Sequence, residues 1–224
     1  MDIINLSNKE TTSGLGKNNN NNDVKNLTNI TYGSSFLELL ECNMGPSVEV
    51  VFLEHSHNFC IAIVDIVGST NMTMKIIEPK KIRTYYGIFL NITSTIAKSF
   101  AAKIVKNLGD SLMFYFPDTA DASNQFAFRD ALECCSTMIS ARDLINAHLH
   151  LQHLPCDISY RISADYGSVE VARSVSSNTF DLFGTTVNVC SKINSMASPN
   201  GIVLGKISIR LFNLFLLKII TLSK

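Results

Sequence analysis

The sequence has no surplus of either charge: 19 basic and 19 acidic side chains stand among its 224 residues. A protein that coats nucleic acid needs a basic excess, so no nucleic-acid partner is expected. The balance is not a tail masking a charged body, because residues 1–30 hold Lys9, Lys17 and Lys25 against Asp2, Glu10 and Asp23. Nowhere is there an uncharged apolar run of the roughly 18 residues that a transmembrane helix requires. The N-terminus lacks a basic-then-apolar signal pattern. The six cysteines (Cys42, Cys60, Cys134, Cys135, Cys156 and Cys190) include no C-x-x-C pair and no histidine at zinc-finger spacing. They read as reduced small hydrophobes, and a cytoplasmic protein is expected. The phosphate loop G-x-x-x-x-G-K-[ST] is absent as well.

What remains is a chain with an ordinary hydrophobic share of 46%, enough for one globular domain with appendages. Residues 1–50 are read as a disordered, Asn-rich tail and connector. They contain the run Asn18–Asn22, and a short helix is expected over 36–44. So polar a segment buries too little apolar area to offset its ordering entropy. Residues 51–224 form the body. Phe59–Val64 is an almost purely apolar run, as expected of a central strand covered on both faces. Beyond Pro79, Ile82, Tyr85, Tyr86, Phe89, Ile92, Ile96 and Phe100 keep helical spacing. Two short strands, 103–107 and 112–116, flank the turn Leu108-Gly109-Asp110-Ser111. One long helix is expected over 122–152, with Phe126, Ala127, Leu132, Cys135, Met138, Ile139 and Ile145 inward. A second hairpin is expected over 157–173, turning near Gly167. A helix over 184–196, a turn at Asn200-Gly201, a strand at 202–204 and a very apolar stretch over 206–220 complete the chain. The order implies an α+β fold, a ferredoxin-like βαββαβ sandwich with helices on one face of a mainly antiparallel sheet.

Two acids stand at ends of apolar runs. Asp65 follows Phe59–Val64 directly, and Asp110 lies at the tip of the neighbouring hairpin. Carboxylates from adjacent strands can share hard divalent cations, which prefer oxygen ligands. Two such ions roughly 3.5–4 Å apart can activate an attacking oxygen and stabilise a leaving one. Taken singly, each acid is as readily explained as a turn former. Gly68-Ser69-Thr70, just before a helical pattern, adds backbone N–H groups that can hold phosphate.

Four blocks carry a resemblance. Asp65-Ile66-Val67-Gly68-Ser69-Thr70 resembles the D-[IVM]-x-G-[FS]-T signature of class III nucleotidyl cyclase catalytic domains. Lys106-Asn107-Leu108-Gly109-Asp110 is similar to that family's [KE]-x-[IL]-G-D hairpin. The stretch from Arg161 to Val169 matches its RI-x-x-x-x-G-x-V block. The stretch from Asp181 to Lys192 resembles its D-x-[WFY]-G-x-x-V-N-x-A-[SA]-R segment. The blocks stand in family order between about Phe59 and Leu204.

The resemblance implies an adenylate or guanylate cyclase of intracellular signalling, working as a head-to-tail homodimer with the nucleotide at the interface. It implies two Mg²⁺ or Mn²⁺ ions on Asp65, Asp110 and the carbonyl of Ile66, and phosphates cradled by Gly68, Ser69 and Thr70. From the partner chain it implies Lys106 and Asp181 on the base, Asn188 on the ribose and Lys192 on the α-phosphate. Adenine offers an amino donor at N6 and an acceptor at N1, which suit an acid and a lysine. Guanine has the opposite polarity, so ATP is the expected substrate and cyclic AMP the product. Two departures stand out. Lys192 replaces the usual Arg and loses its planar fork. The chain also stops at Lys224 without the family's last strand pair, so residues 51–224 are expected to be a C-terminally short catalytic domain. A catalytically weak or inactive nucleotide-binding module and a guanylate cyclase are the alternatives.

Overall fold

The computed structural model describes residues 50–76, 78–154, 157–177, 179–206 and 208. The expected tail, the helix over 36–44 and most of the apolar stretch over 206–220 lie outside them.

Strand β2 (His57–Ile66) is the centre of the sheet. Its side chains alternate between two apolar clusters. Cys60, Ala62, Val64 and Ile66 meet Phe89, Phe114, Phe128 and Met138 on one face. Ile61 and Ile63 meet Met113, Val169, Leu182, Val187 and Cys190 on the other. A strand covered on both sides needs an unbroken apolar run, and the sequence supplies one. The sheet order is β1 (Val50–Phe52), β5 (Tyr160–Ser174), β2, β4 (Ser111–Phe116) and β3 (Lys103–Asn107). β6 (Phe180–Phe183) pairs with β5 in antiparallel register, and β7 (Ile202–Leu204) runs parallel to it.

Helix α1 (Ser69–Lys75) follows β2. Helix α2 (Pro79–Ser99) starts with Pro79 in its first turn, where a missing N–H costs nothing. Tyr85, Phe89, Thr93 and Ala97, four apart, form its buried line. The buried Thr93 hydroxyl is satisfied by donating to the Phe89 carbonyl at 2.7 Å. The expected apolar face holds, with Ile82, Tyr86, Ile92, Ile96 and Phe100 half-buried around it.

Three expectations are corrected. The hairpin over 157–173 is one strand, β5, running 15 residues without a turn. Gly167 lies opposite Phe59 in the ladder. A Cβ there would meet Thr186 Oγ1 at 2.7 Å, so the glycine admits a helix rather than a turn. The long helix is two, α3 (Gln125–Ser140) and α4 (Arg142–Leu151), parted at Ala141. Within it Phe126 is exposed and lies under Arg129, while Phe128 is fully buried. Residues 180–183, beyond β5, add the strand β6. Finally, helices cover both faces. α2, α3 and α4 pack on the larger cluster, and α5 (Thr185–Asn194) packs on the smaller one through Val187 and Cys190.

Candidate active site

Asp65 and Asp110 reach the same edge of the sheet because β2 pairs with β4 up to Asp65 and Ser111. The Ile66 N–H donates to the Asp110 carbonyl at 3.3 Å, which fixes the hairpin tip beside the strand end. The Ser69 hydroxyl donates to Asp110 Oδ2. Across the other side of β2, Arg161 of β5 stands directly opposite Asp65. Its Nη2 and Nε donate to Asp65 Oδ2 at 3.1 and 3.3 Å. The same Nε donates to Asn194 Oδ1 at 3.1 Å. Asn194 is buried at the end of α5, and its Nδ2 donates to the Ile63 carbonyl at 3.0 Å and to Ser163 Oγ at 3.2 Å. Burial, and then the charge of Asp110, push the Asp65 carboxyl above the usual carboxylate range, and Arg161 only partly offsets them. Among the described residues, no group of three or more His, Cys, Asp and Glu side chains converges on a cation position.

Lys106 and Asp181 form a second group. Lys106 Nζ donates to Asp181 Oδ2 at 2.5 Å, joining β3 to β6. A break in the β3–β4 register makes this contact. Ile104 pairs with Phe114 and Lys106 with Met113, leaving Val105 as an extra residue. Val105 packs on the smaller cluster, and Lys106 lies across from Met113 of that same cluster. The bulge therefore turns two consecutive residues to one face and aims Lys106 at β6. Asp181 is also held by its own strand, since Oδ1 accepts the Leu182 N–H at 2.8 Å. Both charged side chains keep about a third of their surface exposed, 37% and 33%, so a ligand can reach them.

Asn188 and Lys192 lie one turn apart on the exposed side of α5, opposite its buried Val187, Cys190 and Asn194. Among the described residues, neither side chain is hydrogen-bonded or ion-paired to Asp65, Asp110, Lys106 or Asp181. Gly68, at φ 71°, caps α1, and Thr70 is exposed beside it. The candidate residues thus fall into three separate groups within one chain. On the α5 side of the sheet a cavity of about 500 Å³ opens, lined by Phe59, Tyr115, Val171, Phe180 and Leu182 among others. None of the candidate residues lines it.

Sequence reasoning gave Arg161 and Asn194 no role. The first carried a usable signal: a basic residue within a block adjoining an acid-bearing strand. The contacts of Asn194 depend on where a helix end meets the sheet, and spacing carries no trace of that. Among the described residues, no helix is long and apolar enough to cross a membrane.

No curated protein sequence matches the chain significantly. Its fold is similar to that of solved cyclases. The guanylyl cyclase Cya2 is 19% identical, covering 70% of this chain and 79% of its own, with a TM-score of 0.64. The adenylyl cyclase CyaB from P. aeruginosa is 18% identical over 74% and 83%, with the same TM-score of 0.64. The guanylate cyclase domain of RhGC from Catenaria anguillulae, solved with GTP, is 17% identical over 70% and 83%, with a TM-score of 0.60. Identities this low speak for the fold alone, the mixed α+β cyclase architecture. Membership is carried by sequence: the family model of the adenylate and guanylate cyclase catalytic domain matches residues 51–218, most of the chain, and the chain belongs to that family.

Proposed function

We propose that the protein is an adenylate cyclase, forming cyclic AMP and pyrophosphate from ATP in a symmetric head-to-tail homodimer. One observation carries the choice of ATP: the Lys106–Asp181 pair, with Nζ and Oδ2 at 2.5 Å on an accessible face. Asp181 accepts from the N6 amino group of adenine, and Lys106 donates to N1. A guanine in the same place would set its carbonyl against Asp181 and its N1–H against Lys106. Unpaired polar groups of that kind discriminate strongly.

The three groups of residues in one chain become one site when a second copy is added. Asp65 and Asp110 of one protomer face Lys106, Asp181, Asn188 and Lys192 of its partner, and the symmetric arrangement makes two sites. Exposed Phe52, Phe180 and Phe183 on the sheet arm support association of this surface. Two carboxylates at one edge of the sheet, Asp65 raised in pKa by burial and then by the charge of Asp110, suit divalent cations with hard oxygen preference. Asp65, Asp110 and the carbonyl of Ile66 would hold Mg²⁺ or Mn²⁺, which supplies charge neutralisation and Lewis acidity when bound. Gly68, Ser69 and Thr70 face the phosphates. Asn188 orients the ribose so that its 3′-oxygen lies in line with the α-phosphorus. The 3′-oxygen forms the new bond to phosphorus, the bond to pyrophosphate breaks, and the hydroxyl proton leaves to solvent. Lys192 neutralises charge building on the α-phosphate. Positioning and electrostatics do most of this work.

The test is to incubate the purified chain with Mn²⁺ and either ATP or GTP and to identify products by mass spectrometry. Cyclic AMP from ATP, lost in Asp65→Ala, is the expected result. Cyclic GMP as the main product would overturn the base assignment. No cyclic product from either nucleotide, at concentrations where the chain is dimeric, would leave a nucleotide-binding module without turnover.

A further inference from the structure

We infer that Asn194 is a positioning residue that parks Arg161 on Asp65 as an internal counter-ion, which a divalent cation must displace to load the acid pair. The inference rests on the proposed metal role of Asp65 and Asp110. The geometry is one of forced orientation. Both donors of the Asn194 amide are spent on the sheet, on the Ile63 carbonyl and on Ser163 Oγ. Its carbonyl oxygen is thereby turned to the Arg161 Nε, at 3.1 Å. Flipping the amide would set its oxygen against the Ile63 carbonyl, so the orientation has no competitor. The Ser195 carbonyl accepts Arg161 Nη1 at 3.5 Å, adding a second hold on the same guanidinium. Held in this way, Arg161 sends both Nε and Nη2 to one oxygen of Asp65, Oδ2. That oxygen is then occupied and the local negative potential is lowered, and both effects oppose an incoming cation.

The test reads Mn²⁺ binding directly, by electron paramagnetic resonance of the free ion, without nucleotide. Arg161→Met should bind Mn²⁺ about fivefold more tightly, near the upper end of what a partly exposed ion pair contributes. Asn194→Ala should shift binding in the same direction by a smaller factor. The double variant should match Arg161→Met alone, since Asn194 acts through that guanidinium. Unchanged or weaker Mn²⁺ binding in Arg161→Met overturns the inference, as does an Asn194→Ala effect that adds fully to that of Arg161→Met. If Asn194→Ala does not fold, Arg161→Met still decides. Asp65→Ala separates the two layers. If it binds Mn²⁺ as well as the unaltered chain, the acid pair is not a metal site and the functional reading itself fails. If it loses binding while Arg161→Met is unchanged, only the counter-ion fails.

Discussion

Lys106 and Asp181 are 75 residues apart and sit on strands that do not pair with one another, yet their side chains meet at 2.5 Å. The contact exists because Val105 bulges out of β3 and because Asp181 is steadied by the Leu182 N–H. A ligand that meets this pair finds a donor and an acceptor at a fixed separation, before any rearrangement. In the proposed function, this pair reads one edge of adenine.

Exchange of the pair should therefore exchange the base. Lys106→Glu combined with Asp181→Cys offers an acceptor towards the N1–H of guanine and a donor towards its carbonyl. The ratio of kcat/KM for GTP over ATP should rise at least tenfold, as expected when buried polar groups are re-matched. Lys106→Glu alone should lower the melting temperature, because it sets two carboxylates in contact. A nucleotide ratio that stays put in the double variant would refute the base assignment.

Lys192→Arg should raise kcat. Lys192 is exposed on α5, a turn beyond Asn188, so the longer side chain meets no packing obstacle there. A guanidinium presents a planar fork of donors to phosphate oxygens, where an ammonium offers a point charge. If the contact strengthens mainly in the transition state, kcat rises and KM changes little. A gain confined to KM would place Lys192 on the ground-state nucleotide instead.

Much of this was legible in the sequence, and the misses have physical causes. The apolar run of β2, the hairpin around Asp110 and the helical face of α2 follow from short-range periodicity. β5 runs straight where a hairpin is expected, because a glycine in a strand has two meanings. Gly167 is there for the close approach of Thr186, and only the position of α5 reveals that. The bulge at Val105 leaves Lys106 on a face that strict alternation would deny it. Asp65 and Asp110 were visible as strand-end acids, while Arg161 required the β2–β5 register. Asn194 required the docking of a whole helix.

Gly184 joins the strand that carries Asp181 to the helix that carries Asn188 and Lys192. Its φ of 124° with ψ of 179° lies in a region that only glycine occupies comfortably. A Cβ there would find no severe clash, with Ser168 O at 3.5 Å, so the cost of Gly184→Ala is backbone strain. Destabilisation of about 1–3 kcal/mol in urea unfolding is expected. Activity should fall further than that loss explains, because relief of the strain rotates α5 and moves Asn188 and Lys192 together. Gly87→Ala is the matched control. That position is helical and open, and alanine there should stabilise by about 0.5–1 kcal/mol.

Asp165 gives the protein a pH dependence unrelated to the candidate site. It is 6% exposed, and its Oδ1 accepts the Tyr166 N–H at 2.9 Å. Burial pushes its carboxyl above the usual range, and the Tyr166 hydrogen bond offsets this only partly. The folded chain thus holds the Asp165 proton more tightly than the unfolded chain does. Its contribution to stability is full below the ordinary carboxylate value of about 4. As pH rises through the raised folded value that contribution is lost, since the unfolded state ionises first and more easily. Asp165→Asn keeps an oxygen for the Tyr166 N–H and removes the titration. In urea unfolding followed from pH 4 to pH 8, the variant should gain on the unaltered chain as pH rises, and the gain should level off once Asp165 is ionised in both states. A difference between the two proteins that is constant across this range would mean that Asp165 titrates alike folded and unfolded, and that its burial costs nothing.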